Sequence, residues 1–192
     1  MQRFSIADLP STPWKNGGGS TREIVCRPLG AGMEGFEWRV SIATIAQPGP
    51  FSAFPGVDRV IMLLDGDGVH LRSSGGIDHR LDQAYAPFAF SGDVTLDCTL
   101  LGGASTDFNV MTRRSSLRAD VQLLHAAADI PVAQRGVLLA LRGNWQLHSG
   151  DSEQPCAAGQ GLWWDAVPQG WQLTPQSEGA VLVWVRLDTV GA

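Results

Sequence analysis

Apolar residues in this chain recur with period two or in short unbroken runs, and turn residues interrupt them every few positions. That spacing predicts strands rather than helices. One set is expected at 21–27, 36–45, 60–65, 68–71, 88–90, 94–101 and 107–112, and a second at 121–124, 137–142, 145–147, 161–165, 171–174 and 180–187. Helical periodicity is scarce, with short helices expected only at 6–9 and 126–129. Many short strands separated by turn signals point to a sandwich or barrel.

The two sets repeat each other. Val60-Ile-Met-Leu-Leu-Asp-Gly-Asp-Gly aligns with Val137-Leu-Leu-Ala-Leu-Arg-Gly-Asn-Trp at an offset of 77, and Val94-Thr-Leu aligns with Trp171-Gln-Leu at the same offset. Both members of the first pair are a buried strand, a charged residue, a glycine turn and a returning strand. A repeat of this length predicts two similar β-rolls, which pack a face together and so protect open sheet edges. The expected architecture is all-β: a bicupin of two tandem cupin-like rolls (jelly-roll barrels) packed together, with few short helices. The rolls are expected at 1–115 and 116–192, with N-terminal strands free to cross over.

Composition narrows the class. Of 192 residues 44% are hydrophobic and 17% charged, so a large core is available. Gly 23 and Pro 11 argue against helix bundles, and seven tryptophans argue against disorder. A net charge of -5 leaves no basic footprint for nucleic acid. No apolar run reaches membrane-spanning length, and the N-terminus lacks a signal-peptide core, so no membrane partner is expected. Three cysteines without a close pair fit a reducing cytoplasm, each as a small buried hydrophobe. Lys15 is the single lysine among 14 cationic residues.

Three segments carry candidate chemistry. In Pro13-Trp-Lys-Asn-Gly-Gly-Gly-Ser, the amides of Gly17 and Gly18 can nest an anion, with Lys15 and Asn16 as further donors. The plain alternative is a glycine turn with a solvated Lys15. In Gly49-Pro-Phe-Ser-Ala-Phe-Pro-Gly-Val-Asp-Arg, a stiff loop carries Phe54 and delivers Arg59, whose planar fork suits a carboxylate. The alternative is a surface pair between Arg59 and Asp58. In the third segment Asp107, Asn109, Met111 and Arg113 share one strand face. A similar polar face on 36–45 carries Arg39 and Ser41, and two such strands can build a small polar pocket with apolar walls.

No metal site is expected. A metal-binding cupin converges two His, a Glu and a later His on one ion, whereas His70, His79, His125 and His148 are scattered without an HxH. No catalytic constellation stands out, and no cofactor is expected. Were the chain an isomerase or hydrolase, Asp107, His70 and Glu23 are the candidate bases.

The motifs PWKNGGGSTREI (13–24), WRVSIA (38–43), GPFSAFPGVDR (49–59) and GG followed by DFNVMTRR (102–114) resemble the HutD/Ves family. The resemblance implies a bicupin without cupin metal ligands, with Lys15, Asn16, Arg59 and Asn109 lining a pocket. It implies association with histidine-utilisation genes, and a regulatory response to a small carboxylate such as urocanate or N-formylglutamate. Ves members are linked to stress and cold response, which implies a structural or interaction role instead. No reaction is established for the family. The expected partner is therefore a small carboxylate, and a homodimer is left open.

Overall fold

The computed structural model describes residues 1–191. Strands follow one another as β1 (Gln2–Ser5), β2 (Ser11–Pro13), β3 (Gly19–Arg27), β4 (Trp38–Ile45), β5 (Gly49–Phe51), β6 (Val57–Asp65), β7 (Val69–Arg72), β8 (Asp78–Leu81), β9 (Phe88–Ser91) and β10 (Leu96–Leu100). They continue as β11 (Ser105–Arg113), β12 (Leu117–Leu124), β13 (Ala128–Ala133), β14 (Gly136–Arg142), β15 (Asn144–Ser149), β16 (Ser152–Ala157), β17 (Gln160–Trp164), β18 (Gln169–Pro175) and β19 (Val181–Thr189). Helix is confined to a 3-10 turn at Ile6–Asp8 and the one-turn α1 (Gly32–Gly35). No helix among the described residues is long and apolar enough to cross a membrane.

The chain divides into two compact units, Pro10–Arg118 and Met1–Leu9 with Ala119–Ala192. Each is a jelly roll of two sheets rather than one closed barrel. The first has the sheets β2-β3-β4-β11-β6-β9 and β5-β10-β7-β8. The second has β1-β17-β14-β19-β12 and β13-β18-β15-β16. Adding eight to each number turns β4-β11-β6-β9 into β12-β19-β14-β17, and β5-β10-β7-β8 into β13-β18-β15-β16. The repeat seen in the sequence is thus a repeat of topology. Its hairpin glycines correspond as well, since Gly66 and Gly143 both take the left-handed backbone (φ 95° and 71°) that those tight turns require.

Two local expectations are corrected. The short helix expected at 6–9 is a 3-10 turn, because Leu9 donates its N–H back to Ile6 and the chain then extends. The helix expected at 126–129 is instead the approach to β13. Pairing of Ala128, Asp129 and Ile130 with Leu173, Gln172 and Trp171 outweighs the weak helical propensity of the alanines.

The interiors of the two rolls differ. The second is filled by apolar groups, among them Leu138, Trp145, Leu162, Trp164, Trp171 and Trp184. Trp164 donates from Nε1 to the Ala133 carbonyl at 2.9 Å, whereas the buried Nε1 atoms of Trp145, Trp171 and Trp184 have no partner. The first roll has an apolar cluster of Ile45, Ile61, Leu63, Val69, Leu71, Leu96 and Cys98 drawn from both sheets. Beside it, on the same sheet face, lies a patch of buried polar side chains.

Candidate functional site

The polar patch follows from strand register. β11 is central in its sheet, between β4 and β6. Residues directly opposite in an antiparallel ladder point to the same side. Three rows result: Arg39, Met111 and Arg59; then Ser41, Asn109 and Ile61; then Ala43, Asp107 and Leu63. Ile61 and Leu63 belong to the roll's apolar cluster, so all three rows face its interior. Alternation along β4 and β11 puts Trp38, Val40, Ile42, Phe108 and Val110 on the opposite face, and these are buried too. The polar face of β11 therefore lines the roll and is not its solvent side.

The two guanidinium groups are held differently. Arg39 donates from Nε to Glu23 Oε2 of β3 at 2.7 Å and from Nη1 to Ser41 Oγ at 3.2 Å, so its charge is matched. Arg59 is 6% exposed, and its Nε has no hydrogen-bond partner. Its guanidinium carbon lies 5.5, 5.6 and 5.1 Å from the ring centroids of Phe51, Phe54 and Phe90. An aromatic collar of this kind holds a desolvated cation through the ring quadrupoles. Burial brings Arg59 down to about 10, against the charge of Asp107, which raises it. It remains a cation at neutral pH. Arg59 is buried and its strand neighbour Asp58 points to the opposite face, where it accepts from Arg114 Nε at 2.7 Å, so the surface pair with Arg59 does not form.

Asp107 is 2% exposed, and neither carboxyl oxygen has a hydrogen-bond partner. Burial pushes it up to about 7, while the charge of Arg59 pulls less strongly the other way. Asn109, one row nearer to Arg59, is buried with an unpartnered Oδ1. From the facing sheet, Cys98 of β10 feels the Asp107 charge. Burial, aided by that charge, pushes its thiol up to about 12, which makes it inert as a nucleophile. Cys98 also lines a small cleft with Trp14, Asn16, Gly18, Ile45 and Phe51, whose volume of about 10 Å³ suits a single water.

The structure brings Arg39, Ser41, Phe54, Arg59, Asp107 and Asn109 together. It places the remaining candidates elsewhere. Lys15, Asn16 and Gly17 lie in an exposed turn. The turn's amides are used internally: Gly17 donates to the Trp14 carbonyl at 3.0 Å and Gly18 to Asn16 Oδ1 at 3.0 Å. Asn16 and Gly18 nonetheless reach the cleft. Gly19 fits only because it lacks a side chain, since a Cβ there would stand 2.2 Å from the Thr44 carbonyl oxygen. Arg113 ties loops together, donating to the carbonyls of Pro55 and Glu34 at 3.0 and 2.9 Å. Cys98, Phe51 and Phe90 were not among the candidate residues. Phe51 sits in the same motif as Phe54, but nothing in the spacing marks Cys98 or Phe90.

This donor set does not fit a divalent cation. Two guanidinium groups stand at one end, and among the described residues no three His, Cys, Asp or Glu converge. His70 bonds Asp78 and His79 stacks on Phe88 at 3.7 Å, so both serve the fold. Cation, amide and near-neutral acid form a set suited to an anion.

A family model described as HutD matches residues 6–183. The chain belongs to the HutD family. Its relatives include Protein Ves of Cronobacter sakazakii, 38% identical over 183 residues, covering 95% of this chain and 96% of that protein. A 21.2 kDa protein in the hutC 3' region of Pseudomonas putida is 42% identical over 139 residues, covering 72% of each. Among solved structures, a conserved protein of Pseudomonas aeruginosa superposes with a TM-score of 0.88 at 37% identity, covering 97% of this chain and 98% of that one. HutD of Pseudomonas fluorescens, solved in a formate condition, superposes at 0.81 with 30% identity, covering 99% of each. A cupin 2 conserved barrel domain protein from Leptotrichia buccalis, 8% identical with a TM-score of 0.63, shares the fold alone, covering 97% of this HutD-family chain and 96% of its own. The four motifs therefore belong to a resemblance that extends over nearly the whole chain.

Proposed function

We propose that the first roll binds a small carboxylate without a metal, and that occupancy serves a regulatory role in histidine utilisation in the cytoplasm. The observation that carries this reading is the contrast between the two interiors. Aligned by strand register, Asp107 and Asn109 of β11 correspond to Leu182 and Trp184 of β19, and Arg59 of β6 to Gly136 of β14. At these positions the second roll has a leucine, a tryptophan and a glycine covered by the Trp164 ring, while the first keeps an acid, an amide and a cation. The second roll also buries unpartnered indole Nε1 atoms, at Trp145, Trp171 and Trp184, but an ionisable group buried without a partner costs far more than a neutral N–H, and a fold that keeps one has a use for it. A carboxylate offers two acceptor oxygens to Arg59, while the unpartnered oxygens of Asp107 and Asn109 are themselves acceptors and call for a donor. Charge-assisted bonds contribute about 1.5 to 3 kcal/mol each, so two or three give an affinity on the order of millimolar, with micromolar as the upper limit. Family membership supports the pathway, as does the P. putida relative in the hutC 3' region. A HutD structure in a formate condition keeps formate among the acids to try.

Calorimetric and thermal-shift titration with formate, urocanate, N-formylglutamate and histidine tests the reading. Saturable binding of at least one acid, lost on Arg59→Met, is expected. No response to any of them by folded protein overturns it. A second reading, an isomerase or hydrolase, is favoured by one observation: a buried acid near neutrality suits general acid–base work. Turnover abolished by Asp107→Asn would select it.

A further inference from the structure

Two acids belong to the polar lining of the first roll, and they are treated differently. Glu23 is half exposed and accepts from Arg39 at 2.7 Å. Asp107 is buried, with both oxygens unpartnered. Arg39 is committed to Glu23, which leaves Arg59 as the cation available to an entering anion. One guanidinium can neutralise one carboxylate. With Asp107 ionised, a bound carboxylate makes a second in the same dry interior, and like charges that close disfavour both.

We propose that the first roll takes up its small carboxylate together with one proton, which Asp107 carries. This rests on the carboxylate-binding reading above. Atoms and charge balance: the Asp107 carboxylate, a solvent proton and the ligand carboxylate become a neutral Asp107 acid beside an ionised ligand. The protonated acid is then a donor, and an O–H bond to a carboxylate is among the stronger hydrogen bonds. The other groups around the patch cannot play this part. Glu23 from β3 and Arg39 from β4 are paired with each other. Arg59 from β6 stays cationic, and Cys98 from β10 keeps its proton, because burial holds its thiol up to about 12. Burial has already brought Asp107 up to about 7, so the proton is gained or lost within the physiological range. Affinity for the ionised acid then falls about tenfold between pH 6 and pH 8.

The experiment is isothermal titration of the full chain with formate and with urocanate. It is run at pH 8 and pH 5.5, in phosphate and in a buffer of high ionisation enthalpy such as Tris or an amine equivalent. Binding at pH 8 should draw close to one proton from the buffer, and at pH 5.5 close to none. Asp107→Asn should bind with no buffer dependence and a flat pH profile. Binding by the parent at pH 8 without proton uptake overturns the proposal and leaves carboxylate binding standing. So does uptake that persists in Asp107→Asn. The parent's buffer dependence decides the case even if the variant fails to fold. Absence of binding by either acid at either pH overturns the carboxylate reading, and the proton coupling with it.

Discussion

Asp107→Asn should make the protein more stable, and only above a definite pH. Burial raises the native carboxyl to about 7, against about 3.9 for an aspartate in an unfolded chain. Between those values the native state holds a proton that the unfolded chain has released. Stability contributed by this group is therefore fully present below pH 4 and is lost as pH rises to 7. At about 1.4 kcal/mol for each pH unit, the loss comes to ~4 kcal/mol. Asparagine occupies the same volume and has no charge to bury. The assay is urea denaturation of parent and variant from pH 4 to pH 8, reading the difference so that every other titrating group cancels. The difference should be constant near pH 4, grow in the variant's favour through pH 7, and then level off. At pH 8 the variant's thermal midpoint should stand about 8–16 °C above the parent's. A pH-independent difference would refute the claim that the burial of this acid outweighs its attraction to Arg59, and the proton coupling would lose its physical basis.

Other expectations are more local. Arg59→Met should leave the fold intact, because a flexible thioether fits among three phenylalanine rings; carboxylate affinity by calorimetry should fall about 10- to 150-fold. Lys15→Ala, in the exposed turn, should weaken binding by less than about fivefold, the limit for a solvated charge; a complete loss would place that lysine on the ligand. Gly19→Ala puts a Cβ 2.2 Å from the Thr44 carbonyl oxygen and should cost about 1–3 kcal/mol in urea titration, by pushing β3 away from β4.

Much of this was legible in the residues, and the exceptions share a cause. Six strands were absent from the pattern of hydrophobic positions: β1, β2, β5, β8, β13 and β16. Each lies at the edge of its sheet. An edge strand pairs on one side and is often polar or proline-bearing, as in Gly49-Pro50-Phe51 and Ser152–Ala157. Its sequence has little reason to alternate. Central strands read clearly because both neighbours and a buried face constrain them. In the site, the shared face of Asp107 and Asn109 followed from alternation alone, as did that of Arg39 and Ser41. Whether that face met solvent or the interior did not follow, because period two is identical in both cases. Only the second sheet, through Leu96 and Cys98, decides it. The glycine loop misled in another way. Its composition announces free amides, but Asn16 and Trp14 already accept from them.

The uneven filling of the two rolls also determines what light can report. Of the seven tryptophans, Trp145, Trp163, Trp164, Trp171 and Trp184 stand in the roll with the apolar interior. Intrinsic emission is therefore dominated by a region with no proposed ligand, and it reports folding. In the other roll Trp14 borders the cleft beside Asn16 and donates from Nε1 to Thr21 at 2.8 Å. Its signal is a minor component in the parent. Replacing the five with phenylalanine in stages, starting from Trp163, would turn the background down and leave Trp14 and Trp38 as optical probes within the roll that carries Arg59 and Asp107.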